Sequence, residues 1–169
     1  MHSNPSSVRF AIGSSPLGAF ALVASDKGVA AILFGANRPE ILADLRRRFE
    51  VLPQEDAKGL ATLLQQAAAM IADPRRSVAL TLAPQGTKFQ RQVWDALRQI
   101  PAGRTASYAD VARRIGSPRA MRAVAQACAA NPIAIAIPCH RVVRSDGAAG
   151  GYRWGAKRKA MLLAAEAAL

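Results

Sequence analysis

Three consecutive residues near the carboxyl end carry reactive chemistry. In "AIAIPCHRVVRSDG", residues 134–147, an apolar run ends at Pro138 and is followed without a spacer by Cys139, His140 and Arg141. Such a thiol can be a packed core group, a metal ligand or a nucleophile. A free cysteine titrates near 8.5, so only about 3% is thiolate at pH 7. A site built for attack lowers that value with a neighbouring base or cation, and His140 and Arg141 are residues of that kind. Successive side chains of a strand point to opposite faces, so His140 can serve the thiol only if the backbone bends or a water bridges them. Pro138 predicts a turn.

An activated nucleophile also needs a group that orients its base, most often a carboxylate. Residues 85–169 hold only Asp95, Asp110, Asp146 and Glu166. Glu166 stands in the apolar stretch "MLLAAEAAL", where burial without a partner would be costly. It either faces water or meets the histidine, and spacing leaves both readings open. Metal chemistry is disfavoured. Cys128 and Cys139 are the only cysteines and His2 and His140 the only histidines, which excludes a disulfide framework and a four-thiolate zinc site. Cys128, set among alanines, reads as a small buried hydrophobe, and no cofactor is expected.

The chain of 169 residues is 51% apolar, enough for one ordinary core or two small ones. Its longest apolar stretches, "LLQQAAAMIA" and "PIAIAIP", fall short of the roughly 18 to 20 residues that span a bilayer. The start lacks the pattern of a secretory leader. These features lead us to expect a cytoplasmic protein with no membrane partner. Charge is uneven: residues 1–84 carry nine Lys and Arg against seven Asp and Glu, whereas residues 85–169 carry fourteen against four. The basic second half suits a polyanion such as nucleic acid, and equally a solvated surface.

The elements that must position these groups divide at the same place. In residues 1–84, "VRFAIG", "GAFALVAS" and "GVAAILFG" read as three antiparallel strands joined by "SSPLG" and "SDKG" turns. Two helices follow, "PEILADLRRRF" with Ile41, Leu42, Leu45 and Phe49 at helical spacing, and "LATLLQQAAAMIA". "SVALTLAPQG" reads as a further strand. In residues 85–169, "TKFQRQVWDALRQIP" is an amphipathic helix presenting Phe89, Val93, Trp94, Leu97 and Ile100, capped by Thr87 and stopped by Pro101. "SYADVARRIG", capped by Ser107 and ended by Gly116, and "SPRAMRAVAQACAAN", with proline in its first turn, make a helix-turn-helix candidate or an ordinary helix pair. Arg113, Arg114, Arg119 and Arg122 crowd its turn. "PIAIAIP" is expected to be extended, "SDGAAGGY" a loop, and "AKRKAMLLAAEAAL" a closing helix.

Over residues 85–169 the chain resembles the O6-alkylguanine-DNA alkyltransferases, or methylated-DNA-protein-cysteine methyltransferases, of bacterial type. "NPIAIAIPCHRVVRSDGAAGGYRWG" carries the likeness, with "SYADVARRIGSPRAMRAVAQACAAN" before it and "KRKAMLLAAEAAL" after it. The resemblance implies a ribonuclease-H-like α/β amino-terminal domain over 1–84. It also implies a mainly α, helix-turn-helix domain of winged-helix type over 85–169. The implied activity is single-use repair: the alkyl group of O6-alkylguanine, and of O4-alkylthymine, moves to the protein's own cysteine after the base is flipped out. Cys139 is then the acceptor, His140 draws its proton through a water, Glu166 orients His140, and Asn131 braces the turn. Tyr108 assists the departing guanine and crowds the phosphate 3′ to it.

Arg122 is implied to enter the vacated stack. Ser107, Arg119, Ala120 and Ala123, and also Ala127, meet the minor groove of double-stranded DNA. Val142, Tyr152 and Arg153, with the carbonyl of Cys139 and the flexible Gly150 and Gly151, form the guanine pocket. Ala134, Arg153 and Trp154 stand where some members have a proline and small residues, which suggests a narrower pocket favouring methyl adducts. A monomer is expected. A DNA-binding protein without transfer and a cysteine hydrolase are the competing classes. Cys139, His140 and Glu166 together argue against the first, and the lack of an oxyanion site in the sequence argues against the second.

Overall fold

The computed structural model describes residues 7–76 and 78–167. His2, Ser77 and the last two residues lie outside the described residues. The chain divides into two compact units: the described residues up to Ala72 with Arg76–Pro84, and Asp73–Arg75 with the residues from Gln85 onward.

The first unit is a four-stranded sheet carrying two helices. β1 (Arg9–Ser15), β2 (Gly18–Ser25) and β3 (Gly28–Gly35) form the expected antiparallel meander. β4 (Gln54–Glu55), which the sequence reading did not anticipate, pairs parallel to β1 and completes the order β3-β2-β1-β4. β2 is the central strand of the meander and is buried on both faces through Phe20, Ala21, Leu22 and Val23. α1 (Arg38–Arg48) starts at Asn37, whose side chain accepts from the Glu40 N–H at 3.0 Å, and turns Ile41 and Leu45 inward. α2 (Ala61–Ala72) lays Ala67, Met70 and Ile71 against β1 and β2. Each large apolar side chain so buried contributes on the order of 2 kcal/mol.

The strand expected in residues 77–86 is a correction. Among its described residues only Leu82 bridges, to Val29, through Val29 N–H to Thr81 O and Ala83 N–H to Val29 O, both 2.8 Å. Pro84, with its fixed φ and no N–H, ends the pairing at once. The approach is close enough that Gly28 (φ 134°) is required: a Cβ there would lie 2.5 Å from Thr81 O.

The second unit is mainly helical. α3 (Lys88–Arg98) opens with a reciprocal capping box between Thr87 and Gln90, at 2.9 and 3.1 Å, and buries Val93, Trp94 and Leu97. β5 (Ala106–Ser107) leads into α4 (Tyr108–Arg114), where Ser107 and Asp110 form a second capping box and Gly116 (φ 76°) turns the chain away. α5 (Met121–Ala129) begins later than its sequence suggests. Pro118 sits in a turn closed by Ala120 N–H to Ser117 O, 2.9 Å, so the proline precedes the helix instead of opening it. α3 packs on both members of the α4–α5 pair, and the Trp94 indole donates to Ala127 O at 2.9 Å. β6 (Val142–Val143) pairs parallel to β5, and α6 (Ala156–Ala167) packs on the turn just before β6.

The run 132–138 is not extended, which corrects a second expectation. Ile135 adopts φ 69°, and Ile137 N–H returns to Ile133 O at 3.1 Å. A β-branched residue in this region is strained by about 1–2 kcal/mol. Burial of Ile133, Ala134, Ile135 and Ile137 holds it there.

Candidate active site

The tight backbone at 132–138 delivers Cys139, His140 and Arg141 into a single 3-10 turn, all three buried. The bend anticipated at Pro138 is this turn. Asn131 organises it from below. Its Nδ2 donates to Ile137 O at 2.8 Å and to Cys139 Sγ at 3.2 Å, and its Oδ1 accepts from Ile133 N–H at 2.9 Å. One side chain therefore fixes both ends of the bend and the thiol.

The turn sends its side chains in different directions. His140 is fully buried, with Nε2 2.7 Å from Glu166 Oε1 on α6. Its Nδ1 is also buried and has no hydrogen-bond partner among the described residues. Glu166 is 3% exposed, so its helix presents it inward and not to water. Arg141 grips the same carboxylate: Nε donates to both oxygens at 3.1 Å and Nη2 to Oε1 at 2.8 Å. Its remaining N–H groups donate to Ile100 O at 2.6 Å and Pro74 O at 3.4 Å.

These contacts set the charge states. Burial pushes the Cys139 thiol up to about 11, against the opposing pull of the Asn131 hydrogen bond and the Lys159 charge. At neutral pH it therefore rests as a thiol, and reaction needs a local proton acceptor. Burial also lowers His140, outweighing Glu166, which raises it; Arg141 and Lys159 push in the lowering direction. Burial alone would raise Glu166, but hydrogen bonds from His140 and Arg141, with their charges, hold it below the usual glutamate range. A neutral imidazole with its proton on Nε2 and a bare Nδ1 satisfies all of these conditions.

One residue of the site holds a different role from the one its sequence suggests, and a second escaped the sequence reading. Arg141 was expected to act on the thiol, yet its guanidinium is spent on Glu166 and the carbonyls of Ile100 and Pro74. The cation that does act there is Lys159, fully buried, which donates to Val142 O at 2.6 Å and Gly151 O at 3.1 Å. The signal was present: Lys159, Leu162 and Glu166 lie three and four residues apart and are the buried stripe of α6.

Around this cluster lie the other expected positions. Tyr108 begins α4, and a Cβ on Gly150 would sit 3.2 Å from its hydroxyl, so the loop backbone runs directly past it. Tyr152 packs edge-on against His140 at 6.5 Å and Trp154 at 5.4 Å, with its hydroxyl buried. Burial raises both tyrosines. Arg153 is exposed, lies 5.3 Å over the Trp154 ring and donates to Asn131 O at 3.0 Å. Val142 is buried. Arg119 and Arg122 are exposed, and Ala120 and Ala123 half-buried, on α5 and the turn before it. Ser117, Pro118, Arg119 and Ala120 line a shallow concavity there. Ser107 is used as a cap, and Arg113 pairs with Asp110. Cys128 is buried, which pushes its thiol up to about 12. Among the described residues, no three His, Cys, Asp or Glu could hold a metal ion.

A family model for the DNA binding domain of 6-O-methylguanine DNA methyltransferase matches residues 88–168. The bifunctional transcriptional activator/DNA repair enzyme Ada of Escherichia coli is 45% identical over 164 residues, which are 95% of this chain and 46% of that one. The chain thus spans about half the length of that relative. The methylated-DNA–protein-cysteine methyltransferase of Methanosarcina barkeri is 43% identical over 154 residues, 90% of this chain and 92% of that one. The crystal structure of Mycobacterium tuberculosis OGT in complex with DNA matches with a TM-score of 0.79 at 32% identity, covering 94% of this chain and 92% of that one. An identity of 43% extending across nearly the whole of both chains, together with the domain match over the Cys139 turn, means that the chain belongs to the methylated-DNA–protein-cysteine methyltransferase family.

Proposed function

We propose that this chain repairs DNA directly, by moving the alkyl group of O6-alkylguanine, chiefly methyl, and of O4-alkylthymine onto Cys139. The sulfur bonds to the alkyl carbon as the carbon–O6 bond breaks. The thiol proton leaves through a bridging water to His140 Nδ1, the departing guanine takes a proton from the Tyr108 hydroxyl, and the imidazolium's proton returns through solvent to the tyrosinate, so charge and protons balance. A stable thioether remains, and each molecule acts once. The observation that carries this reading is the thiol held by Asn131 at 3.2 Å, on the same turn as a buried His140–Glu166 pair whose Nδ1 is unsatisfied.

The base must leave the stack for this attack. Exposed Arg122 is suited to fill the space, and Arg119, Ala120 and Ala123 to docking the turn and α5 in the minor groove, where close approach needs small residues. Ser107 and Tyr108 lie at the start of α4, beside this face. Val142, Tyr152 and the backbone at Arg153 are read as the guanine pocket. Arg153 stacked over Trp154 and buried Ala134 support a narrow pocket that favours methyl over bulky adducts.

The sheet order, three antiparallel strands with a fourth parallel to the first, supports a ribonuclease-H-like fold for residues 1–84, in a supporting role. The α4–α5 pair beside the β5–β6 ladder supports a winged-helix reading of residues 85–169, the DNA-binding and transfer domain. A monomer acting on nucleoid DNA in a bacterial cytoplasm, without a cofactor, fits this mechanism. Intact mass measurement after incubation with duplex DNA containing O6-methylguanine tests it. The expected result is one adduct of about 14 Da, mapped to Cys139, as a methyl replaces a hydrogen. Binding without an adduct would make the protein a lesion binder, and turnover without an adduct a hydrolase.

A further inference from the structure

Glu166 has more partners than orienting one imidazole requires. An isolated buried carboxylate beside a histidine draws a proton onto the pair, because an imidazolium is the nearest available counter-charge. Here the counter-charge is already present. Arg141 spans both carboxylate oxygens through Nε and Nη2, and its other N–H groups are anchored on Ile100 O and Pro74 O, so the fork cannot drift.

We propose that Arg141 is a positioning residue of the transfer. By compensating Glu166 it leaves His140 neutral at rest, with its proton on Nε2 and its Nδ1 lone pair free for the thiol proton. The inference rests on the transfer reading above and explains a feature that reading leaves unused. The surroundings of His140 agree. α6 presents Glu166 and the cationic Lys159, the adjoining loop presents the Tyr152 ring edge-on, and the turn itself adds Cys139 and Arg141. α3, also packed on the turn, keeps Lys88, Arg91, Asp95 and Arg98 exposed and turns only apolar groups inward. Among the described residues, Arg141 is the Lys or Arg side chain that pairs directly with the Glu166 carboxylate. Its removal favours the imidazolium, which cannot accept the thiol proton.

The test is the pH profile of single-turnover methyl transfer for the full chain carrying Arg141→Met or Arg141→Lys. Arg141→Met should slow transfer on the order of tenfold more near pH ~6 than near pH ~8.5, because the neutral base is lost earlier as pH falls. Arg141→Lys should recover most of the acid-side rate. An equal loss at every pH would reduce Arg141 to a scaffold residue and overturn the proposal. Because Arg141→Met leaves the buried Glu166 carboxylate without its cation and so loads the fold itself, ring-nitrogen NMR of His140 in the unaltered chain is an independent arm. A neutral ring protonated on Nε2 near neutral pH supports the proposal, and an imidazolium there overturns it. If the unaltered chain forms no Cys139 adduct, the transfer reading fails, whereas an adduct with an unshifted profile sinks the Arg141 role alone.

Discussion

The two units bury different kinds of residue. The buried residues of the first are apolar, and its ion pairs Arg9–Asp56 and Arg38–Glu55 lie at the surface, with Arg48–Asp44 half-buried. All the buried polar and charged residues among those described, Asn131, His140, Arg141, Lys159 and Glu166, belong to the second. Each costs several kcal/mol to desolvate, and nothing in the packing of a small helical unit demands them. A protein tolerates such a cluster where a function needs it, and here the five lie on, or bond to, the turn that carries one thiol. The difference teaches that the first unit keeps a plain apolar core, whereas the second, on the transfer reading proposed above, gives up stability for a prepared proton acceptor.

The comparison is tested most severely at the thiol. Cys139→Ser keeps the size of the side chain and a partner for Asn131, so the fold and DNA binding should persist while adduct formation falls to nothing by mass spectrometry. Residual transfer would place the acceptor elsewhere. Next is Glu166→Ala, which leaves Arg141 and His140 buried without their anion and should cost roughly 3–5 kcal/mol in denaturant unfolding. Acid should act on the same cluster. His140 and Glu166 both titrate below their ordinary values in the folded chain, so the unfolded chain binds more protons as pH falls. The stability they contribute is complete above the ordinary histidine value of about 6.5 and declines below it as the unfolded histidine takes up its proton. A further loss follows below the ordinary glutamate range. Unfolding midpoints followed by hydrogen exchange should fall with acid in the second unit before the first.

Lys159→Met is a smaller perturbation. It strands the Val142 and Gly151 carbonyls and should cost about 1–3 kcal/mol. Because the Lys159 charge lowers the Cys139 thiol, its loss should also move the pH dependence of thiol labelling upward. Labelling that is unchanged would assign Lys159 to packing alone.

What was legible in the sequence was mostly local. The caps at Thr87 and Ser107, the meander and the turn after Pro138 all follow from residues within a few positions of one another. The roles of Asn131 and Glu166 came through resemblance, since neither spacing nor composition brings residue 166 to residue 140. Lys159 was hidden by its own type, since a basic residue in a basic half reads as surface and only the buried stripe of α6 shows otherwise; Arg141 was read as a cation for the thiol, and only the reach of the turn to Glu166 shows otherwise. The 132–138 run misled because alternating Ile and Ala favours a strand locally. The Asn131 side chain and the packed isoleucines override that preference and hold Ile135 at φ 69°.

The smallest effect is expected where the comparison predicts almost none. Arg38 and Glu55 pair across α1 and β4 with about half of each side chain in water, at 51% and 40% exposure. The Arg38 guanidinium holds Glu55 below the usual carboxylate range, chiefly through their hydrogen bond. Water and salt screen such a pair, and the two long side chains lose freedom to make it, so the shift does not convert into comparable stability. Arg38→Gln should leave the first unit's exchange protection within error, and raising salt to about 1 M should erase any residue of the effect. The same salt should leave the buried Arg141–Glu166–His140 contacts nearly untouched, because ions do not reach them. If Arg38→Gln weakened the first unit as much as Glu166→Ala weakens the second, surface pairs and buried ones would count alike, and the contrast between a plain core and a chemically loaded one would lose its meaning.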